Sequence, residues 1–187
     1  VFSSLMKNPA EYQAVVTNAE TGKPEYYGKE MMFQDDYRLI MASSAIPAAC
    51  RPVELNGTFY YDGGISDAIP VQHALAENCD RLVVILSKNR DYVRKPQGMH
   101  FLYSRLCRKY PRIVEAIDRR HITYNENLKL VFELEKKGVA FVFAPSEAIQ
   151  VGTYSMDEKA ERALYDLGIK DFQSRQKELK QFLHPLI

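Results

Sequence analysis

With 187 residues, 46% of them hydrophobic and 26% charged, the chain suits one domain, or one domain with a helical extension, and can bury a real core. A net charge of +1 gives no electrostatic footprint for nucleic acid, so no nucleic-acid partner is expected. The longest apolar runs, RLVVILS and VAFVFAP, fall far short of the roughly 20 residues that span a bilayer.

From the amino terminus, YQAVVTNA (12–19) alternates and is β-branched, which predicts a strand. ETGKP (20–24) supplies a turn, and EYYGKE returns as a second short strand. DDYRLIMASSA (35–45) reads as a helix with Asp35 and Asp36 in its first turn, ended by Pro47. RPVEL (51–55) and TFYYD (58–62) flank Asn56-Gly57, the strongest short signal for a β-hairpin. Pro70 suits the first position of a helix through PVQHALAEN, and RLVVILS (81–87) has the continuous apolarity of a strand covered on both faces. After a polar stretch, Ile113, Ile117, Tyr124, Leu128 and Val131 share one face of a long helix that Gly138 closes. VAFVFAP (139–145) is a further buried-type strand. Ser155-Met156-Asp157-Glu158 opens another helix as a capping box, Gly168 breaks it, and a charged amphipathic helix follows.

Buried-type strands alternating with helices predict an α/β layered fold with a largely parallel sheet, incomplete here because few such strands are visible. Cys50, Cys79 and Cys107 are odd in number and lack C-x-x-C spacing, which fits reduced thiols in a cytoplasmic protein. His73, His100, His121 and His184 are scattered, so neither a metal nor another cofactor is expected.

The stretch FYYDGGISDAIPV (59–71) ends a strand on Asp62 and follows it with Gly63 and Gly64. In sheets of this type the loops at strand carboxyl ends carry the chemistry. Glycines there permit positive φ, or let another backbone or a substrate come close. The residues alone leave a second reading open, in which Asp62 caps its own turn and does nothing more. Asp62 and Asp67 lack the alternating oxygen ligands and terminal Glu of a calcium loop.

The longer stretch MASSAIPAACRPVELNGTFYYDGGISDAIPV (41–71) resembles the patatin-like phospholipase family, where a helix ending A-S-x-A-x-P, a strand near P-V, and Y-x-D-G-G/A with N/D-x-x-P follow in this order. VTNAETGKPEYYG resembles the family strand bearing T-x-x-x-T-G, and YPRIVEAIDRRHITYNENLKLVFELEKKGVAFVFAPS is similar to a carboxyl-terminal extension in a bacterial branch. The resemblance implies a three-layer patatin-like fold, with residues 1–98 the last part of a catalytic domain and 99–187 an α/β extension. It also implies a serine acyl hydrolase acting on phospholipids or simpler acyl esters through a Ser–Asp dyad, without cofactor. Asp62 is then the base, and Gly63 and Gly64 shape the site.

No G-x-S-x-G elbow occurs in residues 1–187, and Ser43 and Ser44 lack the flanking glycines such a turn needs. They read as helix-end serines bonding backbone locally. The nucleophile and the oxyanion loop are therefore expected upstream of Val1, leaving this chain inactive alone. His73 and His121 sit on helix faces and are read as structural or solvated. Arg105, Arg108, Lys109, Arg112, Arg119 and Arg120, interleaved with Tyr103 and Tyr110, read first as a solvated face and second as a transient contact with anionic lipid headgroups. Tyr60 and Tyr61 are expected to pack the hairpin. The alternative to an enzyme is a non-catalytic lipid-binding or regulatory module of the same fold. Oligomeric state is not set by the sequence.

Overall fold

A computed structural model describes residues 2–149 and 157–184 of the chain. In order, the elements are α1 (Phe2–Lys7), β1 (Gln13–Asn18), β2 (Pro24–Gly28), α2 (Arg38–Ser43), β3 (Val53–Leu55), β4 (Thr58–Asp62), α3 (Val71–Ala76), β5 (Leu82–Ile85), α4 (His100–Leu106), α5 (Pro111–Lys136), β6 (Ala140–Phe143) and α6 (Glu158–Leu183). They fall into two compact units, residues 1–70 with 94–127, and residues 71–93 with 128–187.

The first unit is built on a four-stranded sheet in the order β2-β1-β4-β3, antiparallel throughout. This departs from the largely parallel sheet expected, and the cause lies in the connections. A parallel neighbour needs a crossover of a dozen or more residues, whereas β1–β2 and β3–β4 are joined by tight turns. Gly22 (φ 67°) turns the first hairpin; Asn56 (φ 50°) and Gly57 (φ 83°) turn the second with two left-handed residues in succession. Among the described residues, parallel pairing occurs only between β5 and β6, which are separated by α4 and α5.

Alternation along β4 sends successive tyrosines to opposite faces of the sheet. Tyr60 packs with Ala14, Val16 and Leu55 against Leu39 and Ala42 of α2. Tyr61 packs with Ile65 against Tyr103 and Cys107 at α4 and Ile113 and Ile117 of α5. Both tyrosines are packing residues, 3% and 4% exposed. α2 is shorter than the predicted helix because Asp35 is left-handed (φ 63°), a conformation that cannot be carried into an α-helix. Asp36 instead accepts from the Arg38 N–H at 3.0 Å and pairs with its guanidinium at 2.6 Å, which draws its carboxyl down to about 2.

The predicted stripe of α5 is buried from Ile113 to Val131, and Gly138 (φ 71°) follows the helix end. In the second unit β6 is buried at Ala140, Phe141 and Val142, but β5 is not covered on both faces: Leu82 is buried while Val83 and Ile85 are exposed. α6 runs unbroken through Gly168. One internal glycine costs about 1 kcal/mol relative to alanine, too little to divide a long helix. Asp157 caps it by accepting from the Ala160 N–H at 3.1 Å, while Ser155 of the predicted capping box lies outside the described residues.

Candidate functional site

Asp62 is the last residue of β4, opposite Val16 of β1. Its backbone is tied on both sides: its N–H donates to Ala45 O at 3.0 Å, and its carbonyl accepts from Thr17 Oγ1 at 2.8 Å. Thr17 Oγ1 also lies 2.8 Å from Ser66 Oγ, joining the strand to the far side of the turn. The chain then enters a 3-10 turn, Gly63–Ile65, in which the Gly64 N–H donates to Asp62 Oδ1 at 2.7 Å. Asp62 thus does cap its own turn, as the simpler of its two readings requires. A carboxylate has about four acceptor positions, so that bond leaves capacity for a further donor.

Neither glycine has left-handed backbone; the positive-φ glycines among the described residues are Gly22, Gly57 and Gly138. Gly63 is required for the other reason, close approach. A Cβ at this position would lie 2.2 Å from Val15 O and 2.4 Å from Val15 C, inside the backbone of β1. A Cβ on Gly64 would lie 3.2 Å from Asp62 Oδ1 and 3.3 Å from a terminal nitrogen of Arg120. The Arg120 Nε donates to Gly64 O at 2.5 Å, so α5 holds the turn that in turn holds the carboxylate.

Below the turn, Asp67 is 8% exposed and accepts from Tyr26 Oη at 2.6 Å and Asn127 Nδ2 at 3.0 Å. Asn127 Nδ2 also donates to Ile69 O at 3.0 Å. Burial, and then the bond to Asp67, push the Tyr26 phenol well above its ordinary range, so it remains a donor. Ser43 Oγ donates to Val15 O at 2.8 Å, a backbone bond made to the neighbouring strand and not within its own helix end. His121 is half-buried, and its Nδ1 has no hydrogen-bond partner among the described residues, so no bond joins that nitrogen to Asp62.

Asn127 and Tyr26 were not singled out in the sequence, and Arg120 only as one cation of a basic stretch, not as a partner of the turn. A signal was present for two of them: Arg120 and Asn127 continue the spacing Ile113, Ile117, Tyr124, Leu128 on the inward face of α5. A cation and an amide in an apolar stripe mark polar groups with buried partners. The basic stretch therefore divides. Arg120 reaches the turn, Arg112 pairs with Glu115 at 2.7 Å, and Lys109 lies over the rings of Phe59 and Tyr110.

These features define a mixed α/β protein with a carboxylate fixed at a strand end by a glycine turn. Residues 7–75, the segment that carries Asp62, match the model of the Patatin-like phospholipase family. Residues 110–184 match a domain of unknown function, DUF6363. The chain is also similar to the uncharacterized protein YjjU of Escherichia coli (strain K12), 48% identical over 60 residues. That stretch is 32% of this chain and 17% of that protein. Among the described residues no helix is long and apolar enough to cross a membrane.

Proposed function

We propose that the chain is the base-bearing part of a serine lipid acyl hydrolase, with Asp62 as the base of a Ser–Asp dyad. The nucleophilic serine and the oxyanion donors come from sequence outside these 187 residues, and the chain alone is inactive. Residues 1–98 are the catalytic-domain portion and residues 99–187 the extension. One observation carries the reading: a carboxylate ends β4 within the patatin-like segment, with its backbone tied to Ala45 and Thr17 and one oxygen held by the Gly64 N–H.

A serine hydroxyl is a weak nucleophile until a positioned base takes its proton. Asp62 accepts that proton as Oγ attacks the ester carbonyl of a phospholipid or simpler acyl ester. The protonated carboxyl returns it to the departing alcohol oxygen when the C–O bond breaks, leaving an acyl-serine. Water then attacks with Asp62 again accepting a proton, which returns to the serine as the carboxylic acid is released. Such acid–base assistance is worth on the order of 10²–10⁴ in rate. The Gly64 bond and the Arg120 clamp favour a fixed carboxylate, so little reorganisation is needed as the proton moves.

The test is labelling of the full-length protein with a fluorophosphonate. A single modified serine outside residues 1–187, reacting at least about 100-fold more slowly in Asp62→Asn, is the expected result. A folded protein that labels nowhere, or labels at equal rate in the variant, would favour a non-catalytic lipid-binding or regulatory module.

A further inference from the structure

We infer that α4 and its flanks, residues 94–112, form a docking face for a lipid bilayer carrying anionic headgroups. The inference stands apart from the proposed role of Asp62, since it concerns binding and not turnover.

Two independent features of this segment coincide. The first is charge. Between Asp91 and Glu115 the chain has no acidic residue, while Lys95, Arg105, Arg108, Lys109 and Arg112 are all exposed cations. Arg112 is balanced by Glu115, and Lys109 is stacked on aromatic rings. Arg105 and Arg108 stand on α4 and just past its end, with no such balance on the helix itself. The second feature is apolar exposure. Met99 is 72% exposed, Phe101 79%, Leu102 43% and Leu106 55%.

α4 is thus apolar on both sides, but in different ways. Tyr103 and Cys107 face the core of the first unit, while Phe101, Leu102 and Leu106 stand outward among arginines. Met99 has left-handed backbone (φ 64°) at the start of the helix, an uncommon conformation for a residue whose side chain remains in solvent.

Interleaved aliphatic, aromatic and basic side chains on one face are the pattern of an interfacial element, where cations meet headgroups and apolar tips enter the acyl boundary. Nucleic acid would satisfy the cations but offers nothing to Met99, Leu102 and Leu106, so a bilayer accounts for more of the face. The face also adjoins the strand that carries Asp62. Leu106 and Lys109 form one wall of a groove of about 400 Å³ whose other walls include Cys50, Arg51, Phe59 and Tyr61.

The experiment is co-sedimentation of the full-length protein with vesicles of phosphatidylcholine, alone and mixed with phosphatidylglycerol. Binding should require phosphatidylglycerol and fall as salt is raised. Phe101→Ala with Leu106→Ala should weaken it by about tenfold or more, through lost apolar insertion. Arg105→Gln with Arg108→Gln should weaken it by a similar factor at low salt and remove most of its salt dependence. Circular dichroism melts establish that each variant is folded. As a second measurement, the fluorescence of a Phe101→Trp variant should move to shorter wavelength on anionic vesicles. Equal binding to both vesicle types, binding unchanged in both double variants, or an unshifted emission from the Phe101→Trp variant overturns the inference. So does a single-stranded RNA that binds with the same residue dependence while the vesicles do not.

Discussion

The two ends of β4 carry glycines for opposite reasons. At its start Gly57 has φ 83° and nothing within 4 Å of where a Cβ would stand, so only backbone conformation demands glycine. At its end Gly63 has no left-handed backbone, and a Cβ there would strike Val15 of β1. The first glycine makes a turn; the second makes a contact. A hairpin turn needs the chain to reverse and no more, whereas the end of β4 is packed against its neighbour strand, tied to Ala45 and Thr17, and clamped from α5. That density of restraint on one carboxylate separates a candidate site from a loop.

Substitution at the two glycines sharpens the contrast most. Gly63→Ala should lower unfolding free energy by about 3 kcal/mol, measured by urea denaturation, because the added carbon must displace β1 backbone. Gly57→Ala should cost about 1 kcal/mol, the conformational penalty alone. Gly57→Asn should cost less still, since Asn tolerates left-handed backbone, whereas Gly63→Asn should cost more than Gly63→Ala. Equal costs at both positions would erase the distinction.

Arg120→Met should cost about 1.5 kcal/mol in the same assay, since the Gly64 carbonyl loses a charged donor. Arg120→Lys should recover part of that loss, without the planar fork. The effect of Arg120→Met on turnover in the full-length protein should exceed its effect on stability, because the turn it holds carries Asp62.

Glu25 gives the smallest expected effect and a check on the sheet itself. Burial alone would raise its pKa, but donors from Tyr27, Asn18 and Tyr60 outweigh burial and hold it below the ordinary value of 4.5. The folded state therefore favours the carboxylate, and its contribution is complete above the unfolded value and lost as pH falls through the lower folded one. Glu25→Gln should destabilise the protein by less than about 1 kcal/mol near pH 7, and the gap from the parent should close as pH falls below 4.5. A gap that widens in acid would contradict the assigned bonds.

Much of the site was legible in the order of residues. The Asn56-Gly57 hairpin, the end of β4 at Asp62 and the inward stripe of α5 follow from short-range rules that β-turns and helical periodicity obey. The antiparallel pairing of β1 with β4 was not legible, because it joins strands far apart along the chain, and the continuous apolarity of RLVVILS did not report cover on both faces, since Ile85 is exposed. The roles of Arg120 and Asn127 depend on contacts 56 and 60 residues away along the chain, beyond the reach of local pattern. Their place in the apolar stripe was the visible trace of those contacts.

The two acids beside the turn offer the most direct measurement. Asp67 is buried and accepts from Tyr26 and Asn127, so Asp67→Asn should lower stability and reduce turnover only in proportion to folded protein. Asp62→Asn keeps an oxygen for the Gly64 N–H and should melt within a few degrees of the parent. The decisive quantity is kcat/KM for ester hydrolysis by the full-length protein: a loss of at least about 100-fold in Asp62→Asn, with its fold intact, is predicted. Hydrolysis within a few-fold of the parent would show that Asp62 only caps a turn.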